Sequence, residues 1–142
     1  MSRLTKEEIG LLLPHGPSMW MLESVEHWDD TAISCRTATH RNRANPLRHR
    51  GCLSAFAGLE YAAQAMGVHV GLCRPAGRMD GSIGYVGSVR EVACTVERLD
   101  DLTADLVVDA VRLAEGDRSY MYRFALTAGD RVVLSGRASI FL

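Results

Sequence analysis

The chain carries one long helical signal within a sequence whose remaining apolar segments alternate as β-strands do. Between Leu53 and Leu72, apolar residues recur close to every 3.6 positions and good helix formers dominate. Small residues cover much of this segment's surface, at Gly58, Ala62, Ala63, Ala65, Gly67 and Gly71. Such a surface allows a sheet to approach the helix closely, so the sequence predicts one central helix covered by strands.

Strand patterns flank this helix on both sides. Apolar and polar residues partly alternate from Met19 to His27 and from Ala32 to Thr39, around a turn at Asp29 to Thr31, which predicts a hairpin. Four more strands are predicted after the helix, at 85–96, 103–113, 119–128 and 132–141.

Capping and helix-breaking residues mark where the predicted helices begin and end. Thr5 and Glu8 predict a capped short helix before the hairpin, and Pro75 to Gly77 is predicted to end the long helix. We therefore expect a single α+β domain over residues 1–142, with an antiparallel sheet of about five to six strands wrapped around one long central helix.

Composition narrows the classes of function. The 142 residues are 47% hydrophobic, enough for one core, and 16 basic against 17 acidic side chains give a net charge of −1. This balance argues against nucleic acid as a partner. The sequence predicts no membrane span and lacks the layout of a signal peptide, so we expect a cytoplasmic protein.

The four cysteines form no CxxC pair or ligand-like cluster, and a chain of this size needs no disulfide framework. Cys35, Cys52, Cys73 and Cys94 are predicted to be buried or half-buried free thiols, and no metal site is expected.

Two titratable residues are the candidate catalytic groups. Glu60 lies in the Ala-rich apolar helix pattern, where a carboxylate is costly unless it is paired, exposed or chemically used. His40 begins a long polar loop over residues 40–52 that also contains Asn45, Pro46 and four arginines, and long loops of this kind are often functional. The simpler alternatives are a solvated histidine and a glutamate on the polar side of the helix.

Motifs in these segments resemble a known enzyme family. The stretch Leu13 to Glu23 is similar to the "LPHxxxMxx(L/I)(D/E)" opening of FabZ-like 3-hydroxyacyl-[acyl-carrier-protein] dehydratases, and Asn45–Pro46 with Leu59 to Ala65 resembles their loop and helix block. The chain more closely resembles the ApeP-like dehydratases of aryl polyene synthesis, through His40, Asn45 to Arg48, Gly51 and Glu60 to His69.

The resemblance implies a hotdog fold and the elimination of water from a 3-hydroxyacyl thioester. This reaction needs a base for the proton next to the carbonyl and an acid for the hydroxyl. The family pattern implies that His40 is the base and that Glu60 protonates or orients the hydroxyl. Gln64, one turn after Glu60, is expected to hydrogen-bond that carboxylate and hold its rotamer. His40 precedes Glu60 by twenty positions where the FabZ pattern has fourteen, so His49 remains a rival for the base.

Partners and substrate contacts also follow from the resemblance. Family sites combine the histidine loop of one protomer with the helix carboxylate of the other, which implies a homodimer or a heterodimer with a related hotdog subunit. No cofactor is implied, because the acyl group arrives on the 4′-phosphopantetheine of a carrier protein or on coenzyme A. The predicted substrate-binding residues are Met19, Met21, Phe56, Gly58, Met66 and Tyr85. The predicted contacts to an acidic acyl carrier protein are Arg41, Arg43, Arg48 and Arg50.

Alternatives remain for the loop arginines, the other histidines and the function itself. Solvated loop charge is the simpler explanation of the arginines, and His15 and His69 are expected to be structural. A hotdog acyl thioesterase would share the fold and the acyl ligand. A non-catalytic partner subunit, which completes the site of another hotdog chain, is the third possibility.

Overall fold

The computed structural model describes residues 3–14, 16–74 and 85–142, with Tyr85 described by its backbone only. Within these residues the helices are α1 (Lys6–Gly10) and α2 (Gly58–Cys73). The strands are β1 (Leu4–Thr5), β2 (Ser24–Trp28), β3 (Ala32–Thr37), β4 (Tyr85–Cys94), β5 (Leu106–Glu115), β6 (Ser119–Ala128) and β7 (Arg131–Phe141).

All the strands belong to one antiparallel sheet in the order β1-β2-β3-β5-β6-β7-β4. The long helix α2 follows β3 in the chain and packs against β3, β5 and β6. The prediction of an α+β domain with a sheet around one long helix is confirmed. Within the described residues the sheet has seven strands rather than five to six, because the two-residue strand β1 pairs with β2 at one edge.

Three predicted element starts are wrong, and one of them is that of β5, which begins at Leu106 rather than at position 103. The first strand of the hairpin begins at Ser24 rather than Met19, because Pro17–Met19 form a 3₁₀ turn. The long helix begins at Gly58 rather than Leu53, after a second 3₁₀ turn at Ala55–Ala57 that the Ser54 hydroxyl caps by accepting the Phe56 N–H. The predicted helix stop at Pro75 to Gly77, and His15, lie outside the described residues.

The short first helix forms as predicted from its cap. The Thr5 hydroxyl accepts the backbone N–H of Glu8, and the Glu8 carboxylate accepts the backbone N–H of Thr5 at 3.0 Å. This capping box satisfies two donors that the first turn would otherwise leave open. The helix ends at Gly10, where an added Cβ would lie 2.2 Å from the Trp20 ring.

Small residues let α2 lie directly on the sheet, as the sequence predicts. A Cβ on Gly58 would lie 2.7 Å from a methyl carbon of Leu134 and 2.9 Å from one of Leu126, which is too close for any larger residue. Ala62 and Ala65 are fully buried on the same helix. The close approach fixes the height of the helix above β6 and β7, and therefore the place of Glu60 two residues further on.

Asp100 fastens the chain just before α2 to the connection between β4 and β5. Its carboxylate accepts the backbone N–H of Leu53 at 2.8 Å and forms an ion pair with Arg98. Hydrogen bonds from the Arg98 guanidinium hold the pKa of this carboxyl well below its usual range. The segment 53–57, which leads into α2, is therefore held in place against this connection.

The cysteines are free, and three of them lie where the sequence predicts. Cys35 is buried, and burial raises the pKa of its thiol to about 12. Cys52 and Cys73 are half-buried, whereas Cys94 at the end of the edge strand β4 is exposed, so the prediction for Cys94 is wrong. None of the helices in the described part of the chain has the length and apolar character to cross a membrane.

Candidate functional site

Glu60 lies in the first turn of α2 and lines a cavity of about 160 Å³ between the helix and the sheet. The other lining residues share an apolar character: Leu59, Ala63, Met66, Val86, Val89, Phe124 and Ala138. Among the described residues that line the cavity, Glu60 is therefore the one charged side chain in an otherwise apolar wall.

Gln64 forms the hydrogen bond to Glu60 that their spacing predicts. Its side-chain N–H donates to Oε1 of Glu60 at 3.1 Å and to the Met19 carbonyl at 2.7 Å. Its side-chain oxygen accepts the backbone N–H of Met21 at 2.9 Å. Because the amide is buried and bonded at both ends, it ties the carboxylate to the segment 19–21.

Met66 is the one predicted substrate residue with a described side chain that lines this cavity. Phe56 is 62% exposed, and Gly58 packs against Leu126 and Leu134. Met19 and Met21 lie on the segment that Gln64 holds, and Met21 is buried in the core. The structure therefore places these four away from the cavity. The side chain of Tyr85 lies outside the described residues, and a substrate role for Met66 remains a prediction.

His40 lies in a 3₁₀ turn after β3, with its ring fully buried. Nε2–H donates to the backbone carbonyls of Leu102 and Ala104, at 3.2 and 3.0 Å. Because carbonyls only accept, the neutral ring carries its lone pair on Nδ1, and this atom is buried with no hydrogen-bond partner among the described residues. Burial first, and then the charge of Arg41, lowers the pKa of His40 below its usual value.

No described hydrogen bond joins His40 to Glu60 within the chain, and His40 is not among the described residues that line the cavity. Every described hydrogen bond of the His40 ring goes to the 102–104 segment. The rival His49 is exposed and begins a tight turn, in which its backbone pairs with that of Cys52. Arg50 and Gly51 at the centre of this turn both have positive φ, as a type I′ turn requires. His49 therefore lies exposed at a tight turn and is not among the described residues that line the cavity.

A buried polar network joins the histidine loop to the helix, and sequence reasoning missed it. The Tyr61 hydroxyl lies 2.9 Å from the Thr39 hydroxyl and accepts the Asn45 side-chain N–H at 3.0 Å. Asn45 also donates to the Thr39 carbonyl, and the Thr39 hydroxyl donates to the Met21 carbonyl at 2.6 Å. Tyr61 follows Glu60 and Thr39 precedes His40, so the network links the backbone positions of the two candidate groups. The sequence features that could have indicated this network are Asn45 in the loop motif and Tyr61 in the helix motif.

The four loop arginines fall into two pairs. Arg41 donates to the Thr103 carbonyl and to Asp105, and Arg48 donates to the carbonyls of Gly51 and His40. Arg41 therefore links the loop to the connection before β5, and Arg48 links two parts of the loop itself. Arg43 and Arg50 are exposed. A role for any of the four in binding a carrier protein stays a prediction.

His69, which the sequence predicts to be structural, lies in a polar cluster toward the end of α2. Its Nδ1 accepts the Tyr122 hydroxyl at 2.6 Å, and Nε2–H donates to the Asp29 carbonyl at 2.8 Å. The Cys73 sulfur lies 3.4 Å from Nε2. Burial lowers the pKa of His69, with hydrogen bonding to Asp29 opposing it. The ring is therefore held neutral.

We expect this buried histidine to make stability pH-dependent. Because its pKa is lower in the folded state, its contribution is intact above the unfolded pKa of about 6.5 and is lost as the pH falls through the folded pKa. His69→Asn should therefore show a smaller loss of Tm between pH 8 and pH 5 than the wild type. His27→Asn, on the exposed face of β2, is the matched control. An unchanged pH dependence in His69→Asn contradicts this assignment.

Within the described residues, no group of three or more His, Cys, Asp and Glu side chains is arranged to hold a metal ion.

Comparison with known proteins identifies the family. The chain matches the model of the ApeP-like family, described as ApeP dehydratase, over residues 7–142. No curated protein matches it. Among solved structures, a chain of the dehydratase heterocomplex ApeI:P from Xenorhabdus doucetiae superposes with a TM-score of 0.80 and 22% identity, over 94% of this chain and 89% of that one.

Thioesterases share the same fold. One from Haemophilus influenzae superposes with a TM-score of 0.68 and 10% identity, over 97% of this chain and 90% of that one. A mutant thioesterase from Pseudomonas aeruginosa gives a TM-score of 0.63 and 15% identity, over 96% and 86% of the two chains. These likenesses confirm the hotdog fold expected from the sequence motifs. Because the family model covers almost the whole sequence, the chain belongs to the ApeP-like dehydratase family.

Proposed function

We propose that this protein is a 3-hydroxyacyl-[acyl-carrier-protein] dehydratase, which eliminates water to give a trans-2-enoyl thioester in fatty-acid or polyene-type synthesis. The observation that carries the proposal is the Glu60 carboxyl, held by Gln64 in a cavity whose other described lining residues are all apolar. The match to a dehydratase family supports the same reaction.

Glu60 acts as the general acid. A hydroxyl is a poor leaving group, so the carboxyl donates a proton to the oxygen at C3 as the C3–O bond breaks and water departs. The Gln64 amide holds the carboxyl rotamer by bonding Oε1, and we place the carboxyl against the substrate hydroxyl. The apolar walls exclude water that would compete for this hydrogen bond.

His40 is the base that removes the proton from C2. Its tautomer suits this role, because Nε2–H is held by two carbonyls and the lone pair therefore resides on Nδ1. When Nδ1 takes the proton, the same carbonyls stabilise the imidazolium that forms. The electron pair of the C2–H bond becomes the C2–C3 double bond. Return of the proton from His40 to Glu60 through solvent resets the site.

The complete site requires a second hotdog subunit. The strand order ends at β4, so the outer edge of this strand has no strand neighbour in the described part of the chain. Val86 and Val89 of β4 line the cavity and are each 38% exposed, so a subunit against β4 would close the cavity wall. We place His40 of one subunit opposite Glu60 of the other, in a homodimer or in a heterodimer with a related chain.

The acyl group is delivered on a phosphopantetheine arm, of a carrier protein or of coenzyme A, and no other cofactor takes part. Arg43 and Arg50 are exposed and offer positive charge to an acidic carrier protein. Four free cysteines suit the reducing cytoplasm, where we place the reaction.

One observation favours a second candidate, a non-catalytic partner subunit. The His40 ring is fully buried in the chain, so a substrate carbon reaches Nδ1 only when the loop 39–48 opens. The solved relative ApeI:P is itself a dehydratase heterocomplex. In this role the chain would supply Glu60 or a cavity wall to a related catalytic subunit.

A direct assay separates these functions. We expect the purified protein to convert 3-hydroxyacyl thioesters on a carrier protein into enoyl thioesters, measured by enoyl absorbance and mass spectrometry. Release of free thiol without an enoyl product would instead identify a thioesterase. Activity that appears only after a related hotdog subunit is added would identify a partner subunit.

A further inference from the structure

We propose that Tyr61 is a positioning residue, whose buried hydroxyl holds the loop 39–48 against α2 and so keeps His40 and Glu60 of one chain in a fixed relation. The inference rests on the proposed function for the roles of His40 and Glu60. Tyr61 takes no part in the proton transfers, and it acts through the loop residues that its hydroxyl bonds.

The Tyr61 hydroxyl lies at the centre of the buried polar network, and its partners fix the direction of each bond. The Asn45 side-chain oxygen accepts the Leu47 N–H at 2.9 Å, so the Asn45 nitrogen faces Tyr61 and can only donate there. Burial raises the pKa of Tyr61, so its hydroxyl keeps its proton and donates to the Thr39 oxygen at 2.9 Å. The Thr39 hydroxyl donates in turn to the Met21 carbonyl. Because each bond polarises the next, loss of the Tyr61 hydroxyl weakens the whole network.

The network continues from Met21 to the carboxyl of Glu60. The Met21 backbone bonds in both directions: its N–H donates to the Gln64 side-chain oxygen at 2.9 Å, and its carbonyl accepts the Thr39 hydroxyl at 2.6 Å. Gln64 donates to Oε1 of Glu60 at 3.1 Å. A continuous path of hydrogen bonds therefore joins the carboxyl of Glu60 to the residue that precedes His40.

The same hydroxyl holds the loop on both sides of His40. Asn45 is 6% exposed and donates from its side chain to the Thr39 carbonyl at 3.0 Å as well as to Tyr61. Tyr61 is fully buried in the first turn of α2, so it ties two loop residues to the helix. Without the hydroxyl the buried donor of Asn45 loses a partner, and the closed loop becomes less stable relative to an open one.

Tyr61→Phe removes this hydroxyl and keeps the ring. We expect kcat for dehydration to fall by about tenfold or more, because a misplacement of about 1 Å in a reacting group can cost about 10²-fold in rate. The affinity for a saturated acyl-pantetheine thioester should not change, since the cavity walls are intact. A kcat equal to or above that of the wild type overturns the inference.

Acylation of His40 by diethyl pyrocarbonate reports the loop without any turnover. The reagent attacks an unprotonated imidazole nitrogen, and the buried ring of the wild type should react slowly. In Tyr61→Phe, peptide mass spectrometry should show His40 reacting about tenfold faster, the effect of one lost hydrogen bond on local opening. The exposed His49 should react at one rate in both proteins. An unchanged His40 rate overturns the inference.

Tyr122→Phe is the matched control. It removes the hydroxyl of another fully buried tyrosine, one that donates to His69 at 2.6 Å rather than to the loop. It should lower Tm, as Tyr61→Phe does, and leave kcat and the His40 acylation rate at their wild-type values. Equal effects of the two substitutions on kcat and on His40 would reduce the role of Tyr61 to general stability.

Thr39 provides a second test with a conservative rescue. Thr39→Val removes the hydroxyl and should reproduce both effects of Tyr61→Phe, whereas Thr39→Ser keeps the hydroxyl and should retain most of the activity. Because the two hydroxyls bond each other, Tyr61→Phe combined with Thr39→Val should lose little more than the stronger single variant. Fully additive losses would show that the two residues act separately and would contradict the proposal.

The two readouts separate this inference from the proposed reaction. Faster His40 acylation in Tyr61→Phe, with no enoyl product from the wild type, supports the positioning of His40 and refutes the dehydratase. Enoyl formation by the wild type, with kcat and His40 acylation unchanged in Tyr61→Phe, supports the dehydratase and refutes the positioning role.

Discussion

Glu60→Gln is expected to lower kcat/KM for dehydration by about 10²–10⁴-fold, the usual contribution of a general acid. The amide has the shape of the carboxyl and keeps an oxygen that accepts the Gln64 side-chain N–H, which in the wild type lies 3.1 Å from Oε1. It has no acidic proton to give to the departing hydroxyl. The loss should therefore appear in kcat, with little change in the affinity for saturated acyl-pantetheine or in Tm.

The control for this substitution is Glu97→Gln, which makes the same change at an exposed position outside the cavity. It should keep wild-type kinetics. Glu60→Asp shortens the side chain by one methylene and should recover only part of the activity, because the acid no longer reaches the hydroxyl. Activity of Glu60→Gln within a factor of two of the wild type would exclude Glu60 as the acid.

Local spacing is sufficient to predict the helix half of this site. The 3.6-residue period, the small residues and the i,i+4 relation of Glu60 to Gln64 are properties of one continuous segment. The structure has α2 over Gly58–Cys73 and the hydrogen bond between these two side chains. The structure departs from this prediction at the start of the segment, where Ser54 caps a 3₁₀ turn at Ala55–Ala57 and the helix begins only at Gly58.

The surroundings of His40 could not be predicted from spacing. Its ring bonds to carbonyls at positions 102 and 104, which are more than sixty residues away in the chain and belong to the connection before β5. The polar sequence of the loop predicts an exposed histidine. In the folded chain the ring is instead buried against the connection before β5. Long-range packing also decides which apolar residues line the cavity, and it selects Phe124 and Ala138 from strands that the sequence predicts only as parts of the sheet.

His40 packs in the core and is also the proposed base, so one substitution should affect both stability and turnover. The ring fills core space and satisfies two carbonyls, and its Nδ1 lone pair is the proposed base. His40→Ala should therefore lower both Tm and turnover, the latter by about 10²–10⁴-fold. The wild-type pH profile isolates the chemical role. Because burial lowers the pKa of His40, kcat/KM should stay high below a pH of about 6.5 and fall only as the pH drops through the lowered value.

His49→Ala is the matched control for the loop, because His49 is exposed at the tip of the turn that ends at Cys52. It should leave both Tm and kcat/KM close to those of the wild type, with kcat/KM within a factor of two. If His49→Ala abolishes turnover while His40→Ala retains it, the base is His49 and His40 is only a structural residue.

Mixing the two inactive variants tests whether the site is shared between subunits. If His40 of one chain works with Glu60 of its partner, a dimer of one His40→Ala chain and one Glu60→Gln chain has one site with both groups intact and one with neither. Free exchange of subunits makes about half of the dimers mixed, so about a quarter of wild-type activity should return. A site contained within one chain predicts no recovery, because each chain then lacks one of its own groups. The absence of recovery after proven subunit exchange would therefore overturn the shared site, whatever the activity of each variant alone.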